Sequence, residues 1–195
     1  TQPPSGGDNP CLDSDPPVWC TDPCNTGDPI IDDTAIQESL EAIWKDSNFD
    51  AAEFDRREQG GWIIENPQNG NIEFEPFPSD WNRTTCRIDI PDEFTLPGGT
   101  VAMVHSHPYS TNEKMFACLG IPQSLIDLDP VGFSEIVKKY KNLPSQNDID
   151  FLETLGSQGI MINGYILDND GITQYDFQTN LDNPQTMSKN ERCGY

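Results

Sequence analysis

The chain contains two histidines, His105 and His107, and they lie two residues apart. They close the largely apolar stretch Thr100-Val101-Ala102-Met103-Val104 and are followed by Pro108. That composition reads as a strand. Alternate residues of a strand share a face, so the two imidazoles point the same way. Their Cα atoms then stand roughly 6.6 Å apart. Imidazoles so placed can converge on one metal ion, and neutral imidazole is a common ligand for zinc. Pro108 ends the ladder because it has no N–H to donate. A polar strand end would explain one such histidine. Both of the chain's histidines at i and i+2 favour a metal.

A catalytic zinc needs three protein ligands and one open position. Among many aspartates, Asp148 is the sharpest third candidate. Pro144 precedes Ser145-Gln146-Asn147-Asp148, where a helix should begin. The same residues also read as a helix cap, with Ser145 as N-cap and Asp148 at N3. A hydrolytic site further needs a base, and Glu58 is the candidate. It stands just before Gly60-Gly61 and an apolar run, and glycines there would let a substrate backbone approach. Glu53, Glu65, Glu73 and Glu75 compete for that role.

The elements that must position these residues can be read from periodicity. Ile36, Leu40, Ile43 and Trp44 fall on one face, which predicts an amphipathic helix over 34–46 after Asp32-Asp33. Residues 58–65 and 71–76 predict two strands joined by the turn Asn66-Pro67-Gln68-Asn69-Gly70. The connection 78–99 should hold a short polar strand near Cys86-Arg87-Ile88, and Leu96-Pro97-Gly98-Gly99 turns into the histidine strand. Residues 109–144 form a long insertion with a helix over 131–140. A helix from Ser145 buries Ile149, Leu152 and Leu155, and Gly156 and Gly159 end it. Strands over 160–167 and 172–177 flank the turn Asp168-Asn169-Asp170-Gly171. The expected fold class is α/β, a mixed central sheet flanked by helices. The domain should run over 31–178, between a Cys-, Pro- and Gly-rich tail at 1–30 and a polar tail at 179–195.

Composition bounds the rest. The 195 residues suffice for one domain with a core plus extensions. Net charge is −22, from 33 acidic and 11 basic residues. Such a surface repels phosphate backbones and anionic membranes, which argues against nucleic-acid binding. No apolar run approaches the ~20 residues of a membrane span. The six cysteines, Cys11, Cys20, Cys24, Cys86, Cys118 and Cys193, are even in number and lack zinc-finger spacing. Disulfides in an oxidising, secreted, cell-surface or periplasmic setting are their expected use. No signal peptide is visible, and the start at Thr1 fits either a removed precursor segment or the end of a longer protein.

Together, Glu58-x-x-Gly61-x-Ile63, His105-Ser106-His107-Pro108 and Ser145-x-x-Asp148 resemble the signature of the JAB/MPN (JAMM) metalloenzyme superfamily. The resemblance covers roughly residues 34–177. It implies a three-layer fold like that of cytidine deaminases, and a zinc peptidase or isopeptidase acting on a protein or peptide. It implies that His105, His107 and Asp148 hold Zn2+, that Glu58 is the general base, and that Ser145 stabilises the oxyanion. Ser106, facing away, would be structural. Bacterial relatives of this kind include domains at the ends of secreted or toxin-like proteins. The long insertion departs from the usual short spacer and should border the site. A catalytically silent binding module of the same fold, or a disulfide-stapled surface domain without a site, are the alternatives. A zinc deaminase would need His-x-Glu and Pro-Cys-x-x-Cys, and neither occurs.

Overall fold

A computed structural model describes residues 27–52, 55–91, 93–109, 128–129, 131–132, 143–169 and 171–179, and the backbone of 188–191. Two helices are delimited here: α1 (Thr34–Asp46) and α2 (Gln146–Ser157). Six strands are β1 (Gly60–Glu65), β2 (Ile72–Pro76), β3 (Thr100–Ser106), β4 (Asn163–Asp168), β5 (Gly171–Tyr175) and β6 (Ser188–Glu191). They form one mixed sheet in the order β2-β1-β3-β4-β5-β6. Only β3 and β4 run parallel, joined through the segment that carries α2. The α/β class expected from the sequence is what the chain adopts.

Alternation on β3 divides the core. Ala102 and Val104 pack with Ile36, Leu40 and Ile43 of α1. Met103 faces the other way, into a second cluster with Ile149, Leu152 and Leu155 of α2. One helix therefore covers each face of the sheet. His105 has the parity of Met103, so it emerges on the α2 side. α1 starts where Asp33 caps it, its carboxylate accepting from the N–H groups of Ala35 (2.9 Å) and Ile36 (3.3 Å).

Several boundaries differ from the sequence expectation. β4 begins at Asn163, not at 160, because Ile160 and Ile162 pack under α2 before the ladder starts. The polar strand near Cys86 is reduced to a single bridge between Arg83 and Ile88. Gly156 lies inside α2, which runs on to Ser157, and Gly159 follows in the left-handed conformation (φ 81°). The polar tail contributes β6, antiparallel to β5, and so extends the sheet beyond the expected boundary at 178. The helix expected over 131–140 lies outside the described residues except for Val131 and Gly132. So do the tail 1–26 and most of the insertion.

Gly60 and Gly61 have a packing role. A Cβ at Gly60 would run into the Val104 carbonyl and the Phe77 ring, and one at Gly61 into the Phe74 ring. Their small size lets the sheet's neighbours close over β1. Among the described residues, no helix is long and apolar enough to cross a membrane.

Candidate metal centre

The site forms where the end of β3 meets the start of α2. Ser106 N–H donates to the Gln59 carbonyl and His107 N–H to the Leu167 carbonyl, each at 2.8 Å. Beyond the strand, the Pro108 carbonyl accepts from Arg56 Nη1 at 3.0 Å. The two histidines are thus held by backbone on both sides, and both are buried. Ser106 points to the opposite face. Its hydroxyl meets Ser47 Oγ at 2.6 Å and accepts the Gln59 N–H at 2.9 Å, a structural link between α1, β1 and β3.

Asp148 reaches the histidines from α2. Ser145 and Asp148 form a reciprocal capping box. Ser145 N–H donates to Asp148 Oδ2 at 2.6 Å, and Asp148 N–H donates to Ser145 Oγ at 3.3 Å. With Oδ2 fixed by the cap, Oδ1 is left facing His105 Nε2 at 3.6 Å. The cap reading and the ligand reading of Asp148 are therefore compatible, one oxygen for each. Ser145 is exposed, and its Oγ accepts within the cap, so its hydroxyl proton remains available to the cleft.

One potential ligand atom from each of His105, His107 and Asp148 lies within 4.8 Å of the other two. The Nε2 atoms of His105 and His107 are 3.1 Å apart. Ligands about 2.1 Å from one tetrahedrally held ion are separated by about 3.4 Å. The two edges at His105, 3.1 Å and 3.6 Å, bracket that value, and the whole set lies within 4.8 Å. Burial, with a smaller contribution from His107 and against the pull of Asp148, pushes the His105 pKa down to about 4. The ring is neutral at pH 7 and keeps a lone pair for an ion. These residues can hold a metal ion.

Glu58 opens into the same cleft. This cavity of about 900 Å3 is lined by His105, His107, Asp148, Ser145, Tyr109 and the segment Cys86–Ile90, among others. Glu58 is 4% exposed. Burial first, and then the charge of Asp148, hold its carboxyl well above the usual range, opposed by a hydrogen bond from Tyr109. Of its competitors, Glu65, Glu73 and Glu75 are exposed on β1 and β2, and Glu53 lies outside the described residues. The described ends of the insertion, Tyr109 and Leu143-Pro144, line the cleft. Cys86, the one cysteine among the described residues, is disulfide-bonded, and the other five cysteines lie outside them.

Two tyrosines escaped the sequence reading. Tyr109 follows His107-Pro108 directly, so its position was a usable signal. Tyr175 carried none beyond being an aromatic in a late strand. Its ring lies across Gly164, where a Cβ would collide with it, and stands edge-on to His105 at 6.4 Å and 86°. Burial, then Asp148 and Glu58, push its phenol well above the ordinary range, so it stays neutral.

No protein-family model, curated protein or solved structure matches this chain.

Proposed function

We propose that this protein is a zinc-dependent hydrolase of peptide or isopeptide bonds, of the JAB/MPN (JAMM) type and fold. One observation carries the reading. Two buried imidazoles and one oriented carboxylate oxygen converge within 4.8 Å of one another, beside a buried glutamate that is in the same cleft but outside the ligand set. Two nitrogens and one oxygen, a set that zinc commonly takes, suit that ion, with the cleft side left for substrate and water. The bound ion would supply Lewis-acid chemistry, activating water and polarising a carbonyl.

The chain's own residues would do the rest. His105, His107 and Asp148 hold the ion. Glu58, whose burial raises its proton affinity, takes a proton from the attacking water and returns it to the leaving amine. The Ser145 hydroxyl donates to the carbonyl oxygen as charge develops there. The substrate is a protein or peptide. The bonded state of Cys86 and the even cysteine count support an oxidising location, secreted or at the cell surface.

The test uses zinc-loaded protein against a quenched peptide library and a set of ε-linked isopeptides. Hydrolysis should disappear with a chelator, return with zinc, and fall about 100-fold or more in Glu58→Gln. Full activity in that variant would overturn the assignment. Zinc binding with no hydrolysis of any substrate would instead mark a silent binding module.

A further inference from the structure

Tyr109 is buried and fixed at both ends. Its N–H donates to the His107 carbonyl at 2.8 Å, and its hydroxyl donates to the Thr85 carbonyl. Glu58 and Tyr109 line the same cleft, and a Tyr109 hydrogen bond is among the influences that hold the Glu58 pKa down against its burial. Thr85 is anchored in turn. Its Oγ1 donates to the Arg56 carbonyl at 3.2 Å, and the neighbouring Thr84 carbonyl accepts the Glu58 N–H at 2.8 Å. Backbone and side chain of Glu58 are therefore tied into one closed circuit through 84–85 and Tyr109.

We propose that Tyr109 is the positioning residue for Glu58: its hydroxyl, located by the Thr85 carbonyl, holds the Glu58 carboxyl in the cleft toward the ligand set. The inference rests on the reading of Glu58 as general base.

Proton counting shows why a phenol suits this place. A phenol has one proton, and the Thr85 carbonyl can only accept. While Glu58 is protonated, Tyr109 gives its proton to Thr85 and accepts from the carboxylic acid. While Glu58 is ionised, the phenol proton turns to the carboxylate. In that state the bond to Thr85 is given up, and burial and the Tyr109 N–H bond to the His107 carbonyl keep the ring in place. A base that gains and loses a proton in each cycle keeps the same partner throughout.

Tyr109→Phe removes that oxygen and keeps the ring. Zinc content should be unchanged, kcat should fall about 10-fold or more, and KM should stay within about two-fold. In a Glu58→Gln background the same change should cost nothing further, because the group being positioned is no longer a base. Crystals of metal-free Tyr109→Phe should show the Glu58 carboxyl outside its wild-type rotamer, a readout independent of turnover. Glu58 in its wild-type rotamer in those crystals would overturn the proposal. So would a loss of kcat that persists undiminished in the Gln background. If the wild type hydrolyses nothing, the hydrolase reading fails, and the metal-free crystals still decide the role of Tyr109.

Discussion

Asp148→Asn separates the two jobs of one carboxylate. In the wild type Oδ2 takes the Ser145 N–H at 2.6 Å, and Oδ1 faces His105 Nε2 at 3.6 Å. An asparagine has one oxygen for two places. With that oxygen on the Ser145 N–H, the amide NH2 points at the ion site and one of three ligands is lost. With the amide flipped, a neutral oxygen faces the site, but NH2 confronts the Ser145 N–H. Ser145 is exposed, so water can take up that N–H, and losing the cap bond costs about 0.5–1.5 kcal/mol, equivalent to about 2–13-fold in affinity. Loss of the anionic charge adds to it, so zinc affinity should fall by about 100-fold or more. The metal-free fold should suffer little. The first orientation keeps the cap bond, and the charge that opposes ionisation of Glu58 is gone. The loss at the helix N-terminus is about 0.3–1 kcal/mol. Competition with a chelator of known affinity measures the first quantity, and thermal melts of the metal-free variant the second. Zinc affinity within about three-fold of wild type would refute the division of labour, since the ligand argument asks for about 100-fold.

Three further outcomes follow from the same geometry. His105 has a pKa of about 4 in the fold against an ordinary 6.5, so the unfolded chain binds the extra proton first. As pH falls from about 6.5 to about 4, the metal-free wild type should lose stability relative to His105→Gln, on the order of 3 kcal/mol. Melts at constant ionic strength that stay parallel would contradict this. For Glu58 the sign reverses: its raised pKa favours the fold at low pH and penalises it as pH rises above the ordinary value. Metal-free Glu58→Gln should therefore melt higher than wild type at pH 8 and close to it at pH 4, and the opposite order would be inconsistent with a buried carboxyl. Gly164→Ala should force the Tyr175 ring off β4 and destabilise the fold by about 1–3 kcal/mol, as overpacking does. A denaturant midpoint equal to wild type would show that the ring has room to move.

The helices and the inner strands were legible because their apolar residues recur at helical or alternating spacing. α1 matches the expected 34–46 residue for residue. The histidine pair, Asp148 and Glu58 were legible as residue types at particular spacings, and burial sorted Glu58 from three of its rivals. β6 was not legible, since Ser188-Lys189-Asn190-Glu191 is polar throughout and becomes a strand only by pairing with β5. The packing role of Gly60-Gly61 was not legible, because local sequence does not reveal which rings and carbonyls will lie above them. Ser145 and Asp148 looked like a choice between cap and ligand. Only the geometry of the two carboxylate oxygens shows that one residue can serve as both. Tyr109 was within reach of the reading, two residues after His107, but Tyr175 comes to the site through a tertiary contact from β5 that no spacing in the chain announces.

The central claim is a zinc ion held by His105, His107 and Asp148. Anomalous diffraction collected on both sides of the zinc absorption edge, from crystals grown with one equivalent of zinc, tests it most directly. The account predicts one peak per chain, about 2.0–2.2 Å from His105 Nε2, His107 Nε2 and Asp148 Oδ1. A peak held by other side chains, or no peak between the two histidines under those conditions, would contradict it.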